Sequence, residues 1–380
     1  MIYLDNSATT RIDDDVLEAM MPWLRDEYGN ASGIYASGRR ARVAIESART
    51  AIAAAMNAHP AEIIFTSGGT ESNNAILKSV CVESALAERL AVAATEHHAV
   101  LHPAETLEHQ GVPLTILAVD RSGRVVPGQL QTLNVPRTLV SVMHANNETG
   151  TIQPLAEIRR EIPNAYLHSD AVQTFGKIPV DVQALGVDFL SFSAHKIHGP
   201  KGIGAMFIRK GIDFKSHQQG GGQERNRRAG TEPVALIVGF AQAVRSAIEQ
   251  MDQRAAHMRS LITTAREIIQ MEIPDVRLNT PSDAALPNIL NVSFVDADRI
   301  DGEAIIQSMD IAGVAVSNGS ACVSGSQQPS HVLLAMGLPA SESRAAVRLS
   351  VSKYTTPEEI MQACAILSNI VRKLRGATHN

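Results

Sequence analysis

Apolar positions along this chain follow two periods, and the periods alternate. Over 13–24, Val16, Leu17, Met20, Met21 and Leu24 fall at helical spacing behind an acidic start. Over 40–56 the pattern repeats with Val43, Ile45, Ala48 and Ile52, and Asn57 serves as the stop. Short apolar runs at 62–66, 90–94, 114–119, 138–144, 166–168, 187–192 and 205–208 read as strands. Helices are expected from Thr70, over 99–109 and over 155–161 between them. Such alternation implies βαβ units: an α/β chain whose mostly parallel sheet is covered by helices on both faces. A helix over 234–251 is read as the hinge to a second part. That part carries helices at 258–271, at 302–309 and from Pro357, and strands at 289–295 and 347–351.

Length and composition narrow the class. At 380 residues the chain is too long for one small core and is expected to form two domains. Hydrophobic residues at 44% and charged residues at 19% describe a soluble globular protein. A net charge of -5 argues against nucleic-acid or anionic-membrane binding, and no apolar run approaches a membrane span. The first ten residues carry no basic leader or apolar export segment. Cys81, Cys322 and Cys364 are widely spaced, with no C-x-x-C pair. This excludes a disulfide framework, gives no reason to expect a metal, and fits a reducing cytoplasm.

In open α/β sheets ligands bind outside the carboxyl ends of the strands, and the chain's unusual polar segments gather there. Ser193-Ala194-His195-Lys196 follows an apolar strand and precedes a run containing Gly199, Gly202 and Gly204. A lysine held at a strand end among hydroxyl and imidazole groups suits Schiff-base chemistry with an aldehyde cofactor; otherwise it is a solvated surface lysine. Ser67-Gly68-Gly69-Thr70 opens a helix after a strand. It offers free N–H groups and close approach to a phosphate, though the same residues also make ordinary turns and caps.

Asp170 ends a strand, where it either caps the next element or keeps an aromatic ring nitrogen protonated. His97 stands at another strand end, a position that favours function over structure, and His98 beside it is read as surface. Cys322 lies among small polar residues (318–326), as an accessible reactive thiol would, whereas Cys81 and Cys364 sit at helical spacing among apolar neighbours. Arg348, in an apolar strand, needs either a structural salt bridge or a substrate carboxylate as partner.

As a set, these segments resemble the cysteine desulfurases, class V aminotransferase-like enzymes that use pyridoxal 5'-phosphate (PLP). The likeness runs from Tyr3-Leu4-Asp5-Asn6-Ser7-Ala8-Thr9-Thr10 to Arg348-Leu349-Ser350. It includes the Ser-Gly-Gly-Thr-Glu-Ser turn, Thr-Glu-His, His-Ala-Asn-Asn-Glu-Thr-Gly, Asp-Ala-Val-Gln, Ser-Ala-His-Lys, Gly-Gly-Gly-Gln-Glu-Arg and Gly-Ser-Ala-Cys. The cysteine loop is similar to that of the family's first group.

The resemblance implies a fold-type-I PLP transferase with a large PLP-binding domain over 13–254. A smaller α+β domain, 1–12 with 255–380, would carry the catalytic-cysteine loop. It further implies Lys196 as the Schiff-base lysine, Asp170 on the pyridine nitrogen, Gln173 on the ring hydroxyl, and His97 stacked on the ring and moving protons. Gly69, Thr70, Ser193 and His195 would hold the phosphate, with Thr231 reaching across from a second subunit of a homodimer. Asn146 and Arg348 would bind the substrate carboxylate, and Cys322 would accept sulfur.

The implied reaction is L-cysteine to L-alanine, with a persulfide on Cys322 passed to a protein acceptor. That acceptor would serve iron–sulfur cluster assembly, tRNA thiolation or DNA phosphorothioation. Another class V activity, such as selenocysteine lyase or aminotransferase, is the alternative, and a non-catalytic partner protein a second. The sequence departs from the family at Gly29-Asn30-Ala31-Ser32-Gly33-Ile34-Tyr35, where histidine is commoner in place of Tyr35.

Overall fold

The computed structural model describes residues 1–295, 300, 302–318 and 328–376. Cys322 therefore lies outside the described residues. In chain order the strands are β1 Ile2–Tyr3, β2 Ile63–Thr66, β3 Arg89–Ala93, β4 Leu114–Leu117, β5 Thr138–Ser141 and β6 Tyr166–Asp170. They continue with β7 Phe189–Ser193, β8 Gly204–Ile208, β9 Val276–Leu278, β10 Ile289–Phe294, β11 Val314–Ala315 and β12 Val347–Ser350. The helices are α1 Asp14–Arg25, α2 Ala36–Ala54, α3 Gly69–Lys78, α4 His98–His109, α5 Leu155–Glu161 and α6 Val182–Leu185. After these come α7 Val234–Glu249, α8 Met251–Glu272, α9 Gly302–Ile311, α10 His331–Ala335, α11 Ala340–Arg344 and α12 Pro357–Gly376.

Seven strands form one sheet in the order β2-β8-β7-β6-β5-β3-β4. Only β8 runs against its neighbours, β2 and β7; the other pairings are parallel. The carboxyl ends of β2, β3, β5, β6 and β7 therefore share one edge. Strands β2, β5, β7 and β8 are buried at every position, which is why they read as continuous apolar runs rather than alternating ones.

Helices cover both faces. One core joins α1, α2 and α7 to the sheet, with Val16, Ile45, Phe175, Phe192 and Phe240 among its members. Another packs Ile76, Val80, Cys81, Val100 and Leu107 on the opposite side. A separate core gathers Ile2 and Leu4 with apolar residues between Met258 and Val371 around the antiparallel β12-β10-β9 sheet. Cys81 and Cys364 are buried, and burial pushes both thiols up to about 12, so they act as apolar filler.

The helix expected over 234–251 ends at Glu249. Helix α7 sets Ile237, Phe240, Ala241, Val244 and Ala247 into the first core, and the chain breaks at Gln250, between α7 and α8. The long connector before α7 is tied down by charge. The Glu224 carboxylate, 4% exposed, accepts from Arg49 at 2.7 and 2.9 Å and from the Phe65 amide at 2.9 Å. Arg228 binds Glu71 at 2.8 Å. These anchors hold Glu224, Arg225 and Asn226 at φ of 44°, 58° and 62°, a left-handed turn that costs non-glycine residues about 1 kcal/mol or more each.

Candidate active site

At the carboxyl edge of the large sheet lies a cavity of about 400 Å³, lined by residues from every strand end named above. β2 delivers Gly69 and Thr70, β3 His97, β5 Met143 and Asn147, β6 Asp170 and Gln173, and β7 Ser193, His195 and Lys196. Ser7, Ala8 and Arg348 close it from the side of the β12-β10-β9 sheet. Of the residues singled out in the sequence, Gly69, Thr70, His97, Asp170, Gln173, Ser193, His195, Lys196 and Arg348 meet here.

Lys196 Nζ donates to the carbonyls of Ser7 and Ala8 at 2.5 and 2.7 Å. Burial, followed by the nearby Arg348 guanidinium, pulls its pKa down to about 8, against the opposing pull of Asp170 and Asp5. The segment bearing those carbonyls hangs on β12: the Ser7 amide donates to Ser350 Oγ at 2.9 Å, and Asn6 Nδ2 to the Ser350 carbonyl at 2.8 Å. One strand thus positions both the lysine's acceptors and Arg348.

Asp170 is 5% exposed and firmly oriented. Asn73 Nδ2 donates to one carboxylate oxygen at 2.7 Å, and the Val172 amide to the other at 2.9 Å. His97 caps α4: its Nδ1 accepts from the Ala99 amide at 3.0 Å, which puts the ring proton on Nε2. Burial lowers its pKa, with Asp170 opposing and Lys196 reinforcing the shift, so the imidazole is neutral at neutral pH. His195 is likewise neutral, brought down to about 4 by burial and then by Lys196, and its Nδ1 faces Thr9 Oγ1 at 3.2 Å.

Arg348 is wholly buried. Its guanidinium pairs with Asp5 at 2.6 Å and donates to the Asn147 carbonyl at 2.8 Å, while its Nε has no protein partner. It therefore has the salt bridge that its burial demands and keeps a donor in reserve at the cavity.

Two sequence readings change, at Asn146 and His98. Asn146 does not line the cavity: its amide nitrogen donates to the Thr95 carbonyl at 2.9 Å, and its oxygen accepts from the Glu148 and Thr149 amides at 2.8 and 2.9 Å. The turn uses up its hydrogen-bonding capacity, and Asn147 reaches the cavity instead. Thr231 is exposed and lines a separate recess with Ser67 and Pro233, so this single chain does not bring it to the others. His98 is partly buried, not surface. Its ring lies 4.7 Å from that of His102 and 4.6 Å from that of His331, and burial lowers it to about 4. Tyr35 also stays outside the cavity, its ring folded over Gly33, where an added Cβ would fall 2.5 Å from it.

Sequence reasoning missed Asn73, Asp5, Asn147 and the two carbonyls on Lys196. Asn73 carried one available signal, because it lies one helical turn beyond Thr70 on the face that Gly69 opens.

The residues present fit PLP. The Ser193 hydroxyl is buried with no hydrogen-bond partner, as are Ser7 Oγ, Asn73 Oδ1 and Arg348 Nε on other residues of this cavity, and such unpaired polar atoms are costly. Ser193 shares the cavity with the open N-terminus of α3. That helix begins at Gly68, whose φ of 157° and ψ of −179° only glycine adopts freely, and an added Cβ at Gly69 would lie 2.5 Å from Val172. Helix N–H groups, two hydroxyls and a histidine suit a phosphate. An oriented carboxylate and a lysine of lowered pKa suit a pyridine aldehyde.

Such a sheet edge and lysine–aspartate pair define a PLP-dependent transferase of the α/β kind, and the chain belongs to the class-V aminotransferase family, whose profile matches residues 2–362. Within that family it is 46% identical over 378 residues to "Cysteine desulfurase IscS" of Dictyoglomus turgidum, covering 98% of this chain and 95% of that one. Among solved structures it resembles a "NifS-like protein" with TM-score 0.90 and 38% identity, covering 98% and 99% of the two chains. It also resembles "SspA in complex with cysteine", with TM-score 0.80 and 33% identity over 94% of this chain and 100% of that one.

Proposed function

We propose that this protein is a cysteine desulfurase that converts L-cysteine to L-alanine and carries the sulfur on Cys322. The observation that supports sulfur chemistry is where the cysteine segment is attached. On one side, Ser317 pairs with Arg348 through backbone hydrogen bonds of 2.6 and 3.3 Å. On the other, Ser330 Oγ donates to Glu148 at 2.5 Å, and His331 Nε2 to the Glu96 carbonyl at 2.9 Å. The described residues that flank positions 319–327, Cys322 among them, are therefore bonded to Arg348, which lines the cavity, and to Glu148 and Glu96.

Bound PLP supplies an aldehyde that captures amines and a ring that accepts electron density from the substrate's Cα. Gly69, Thr70, Ser193 and His195 would hold the phosphate, and Thr231 of a second copy would complete that site in a homodimer. Asp170, fixed by Asn73, would pair with the ring nitrogen. Gln173 would bond the ring hydroxyl, and His97 would stack on the ring. Arg348 offers its spare donor to the substrate carboxylate. Asn146 acts indirectly, by shaping the turn that presents Asn147.

Lys196 would provide the amine that holds the cofactor and would serve as the base for the substrate's Cα proton, with His97 as the second acid–base group. The Cys322 thiolate then attacks the substrate sulfur. The S–S bond forms as the Cβ–S bond breaks, Cβ keeps the electron pair and gains a proton, and Cα regains the proton it gave up, giving alanine. The persulfide passes to a protein acceptor in the cytoplasm, of the iron–sulfur scaffold, tRNA-thiolation or DNA-phosphorothioation kind. Residues 13–254 form the PLP-binding domain, and 1–12 with 255–380 the smaller one.

Cys322→Ala tests this reading. The purified variant is expected to stay yellow and to release no sulfur from cysteine in the presence of a reductant. Full turnover by that variant would overturn it.

A further inference from the structure

One buried cation takes no part in the chemistry above. Lys177 follows β6 and is 7% exposed. Its charged neighbours, Lys196 and Arg348, are cations, and together with burial they bring it down to about 7. Among the described residues its ammonium makes one hydrogen bond, to Gln173 Oε1 at 3.1 Å. A buried ammonium without a carboxylate partner is costly, and methionine would fill the same space without that cost. Packing alone therefore does not account for it.

The geometry says what it does. Gln173 lines the cavity, and its Nε2 donates to the Ser7 carbonyl at 3.0 Å, the same oxygen that accepts from Lys196 at 2.5 Å. With Nε2 committed to the Ser7 carbonyl, the amide turns its oxygen to Lys177, which as an ammonium only donates. With Oε1 held from below, the second hydrogen of Nε2 is left for the cavity. We propose that Lys177 is a positioning residue, which pins the Gln173 amide with its oxygen away from the cavity so that the site presents an N–H donor to an acceptor oxygen on the cofactor ring. Lys177, Gln173, Ser7 and Lys196 form one continuous polar chain, so the lysine that captures the cofactor shares its anchor with the amide that orients it. This inference rests on the PLP reading of the site.

The test uses Lys177→Met, Gln173→Leu, the double variant and Gln173→Glu, each as full-length protein titrated with PLP. Uptake by the wild type, lost in Lys196→Ala, establishes the underlying reading on its own; no uptake by the wild type refutes that reading rather than this one. With uptake established, Lys177→Met is expected to weaken PLP binding about tenfold and to shift the pH at which the bound cofactor changes colour. Gln173→Leu is expected to do the same, and the double variant no more than either alone. Gln173→Glu replaces the donor with an acceptor, so it is expected to bind PLP more weakly. Unchanged PLP affinity and colour transition in Lys177→Met, fully additive effects in the double variant, or unchanged PLP affinity in Gln173→Glu would each overturn the proposal. Because Gln173→Glu stands alone, the test survives even if Lys177→Met does not fold.

Discussion

The lowered pKa of Lys196 has a measurable kinetic signature. An ordinary lysine, titrating near 10.5, is about 0.03% neutral at pH 7, whereas one at about 8 is neutral in roughly one molecule in ten. Only the neutral amine attacks an aldehyde, so the environment of Lys196 raises its reactive fraction about 300-fold at pH 7. Between pH 6 and 9 that fraction climbs from about 1% to about 90% and then levels off. An unperturbed lysine would gain about tenfold per pH unit across the whole range. The assay is stopped-flow PLP uptake by apoprotein in non-amine buffers from pH 6 to 10. Rates are divided by those of a simple alkylamine scaled to its own neutral fraction, which removes the aldehyde's own titration. The expected profile bends near pH 8 and is flat above 9. In Arg348→Met the bend moves to higher pH, because a neighbouring cation that disfavours the ammonium is gone. A profile still rising tenfold per unit between pH 9 and 10 would refute the argument that this cavity, and not general lysine chemistry, prepares the amine.

Three further outcomes follow from the same geometry. Because the unfolded chain holds the Lys196 proton up to about 10.5 and the folded chain only to about 8, that lysine's penalty on folding is full below pH 8 and fades as pH rises toward 10.5. Urea midpoints of the apoprotein should therefore rise more over that window in the wild type than in Lys196→Met; equal slopes would remove Lys196 as the cause. Ser193→Ala takes away a hydroxyl with no protein partner, so apoprotein stability should stay within about 0.5 kcal/mol while PLP affinity falls about tenfold; a large loss of stability would mean the hydroxyl is structural. Glu224→Gln removes the buried carboxylate and leaves Arg49 with Glu46 at 3.2 Å and the Ile63 carbonyl at 2.7 Å, so about 2 kcal/mol should be lost in chemical denaturation, and a change below about 0.5 kcal/mol would show that the pair does not hold the connector.

Much of the site was legible because strand ends announce themselves. Apolar runs that stop abruptly at Ser193, Asp170 and Thr66 place the next polar residues at one sheet edge, whatever the packing in between. The side chains' own choices were not legible. Asn146 and Asn147 are the same residue type in adjacent positions, and only the turn between β5 and α5 decides which amide is consumed by backbone and which faces the cavity. His98 looked exposed because its neighbour His331 comes from the far end of the chain.

By itself the sequence determined the α/β alternation, the order of the strand-end motifs and the chemical types available to the site: a lysine, an aspartate, a histidine, an arginine and a separate thiol. Those follow from local periods of two and 3.6 residues and from covalent order. Only the tertiary structure decided that the first eight residues hang on β12 and hand their carbonyls to Lys196, that Asp5 neutralises Arg348, and that Lys177 stands beneath Gln173. These contacts join positions far apart in sequence or depend on which hydrogen bonds a side chain has already made. Burial then sets their charge states, and no local pattern encodes burial of that kind.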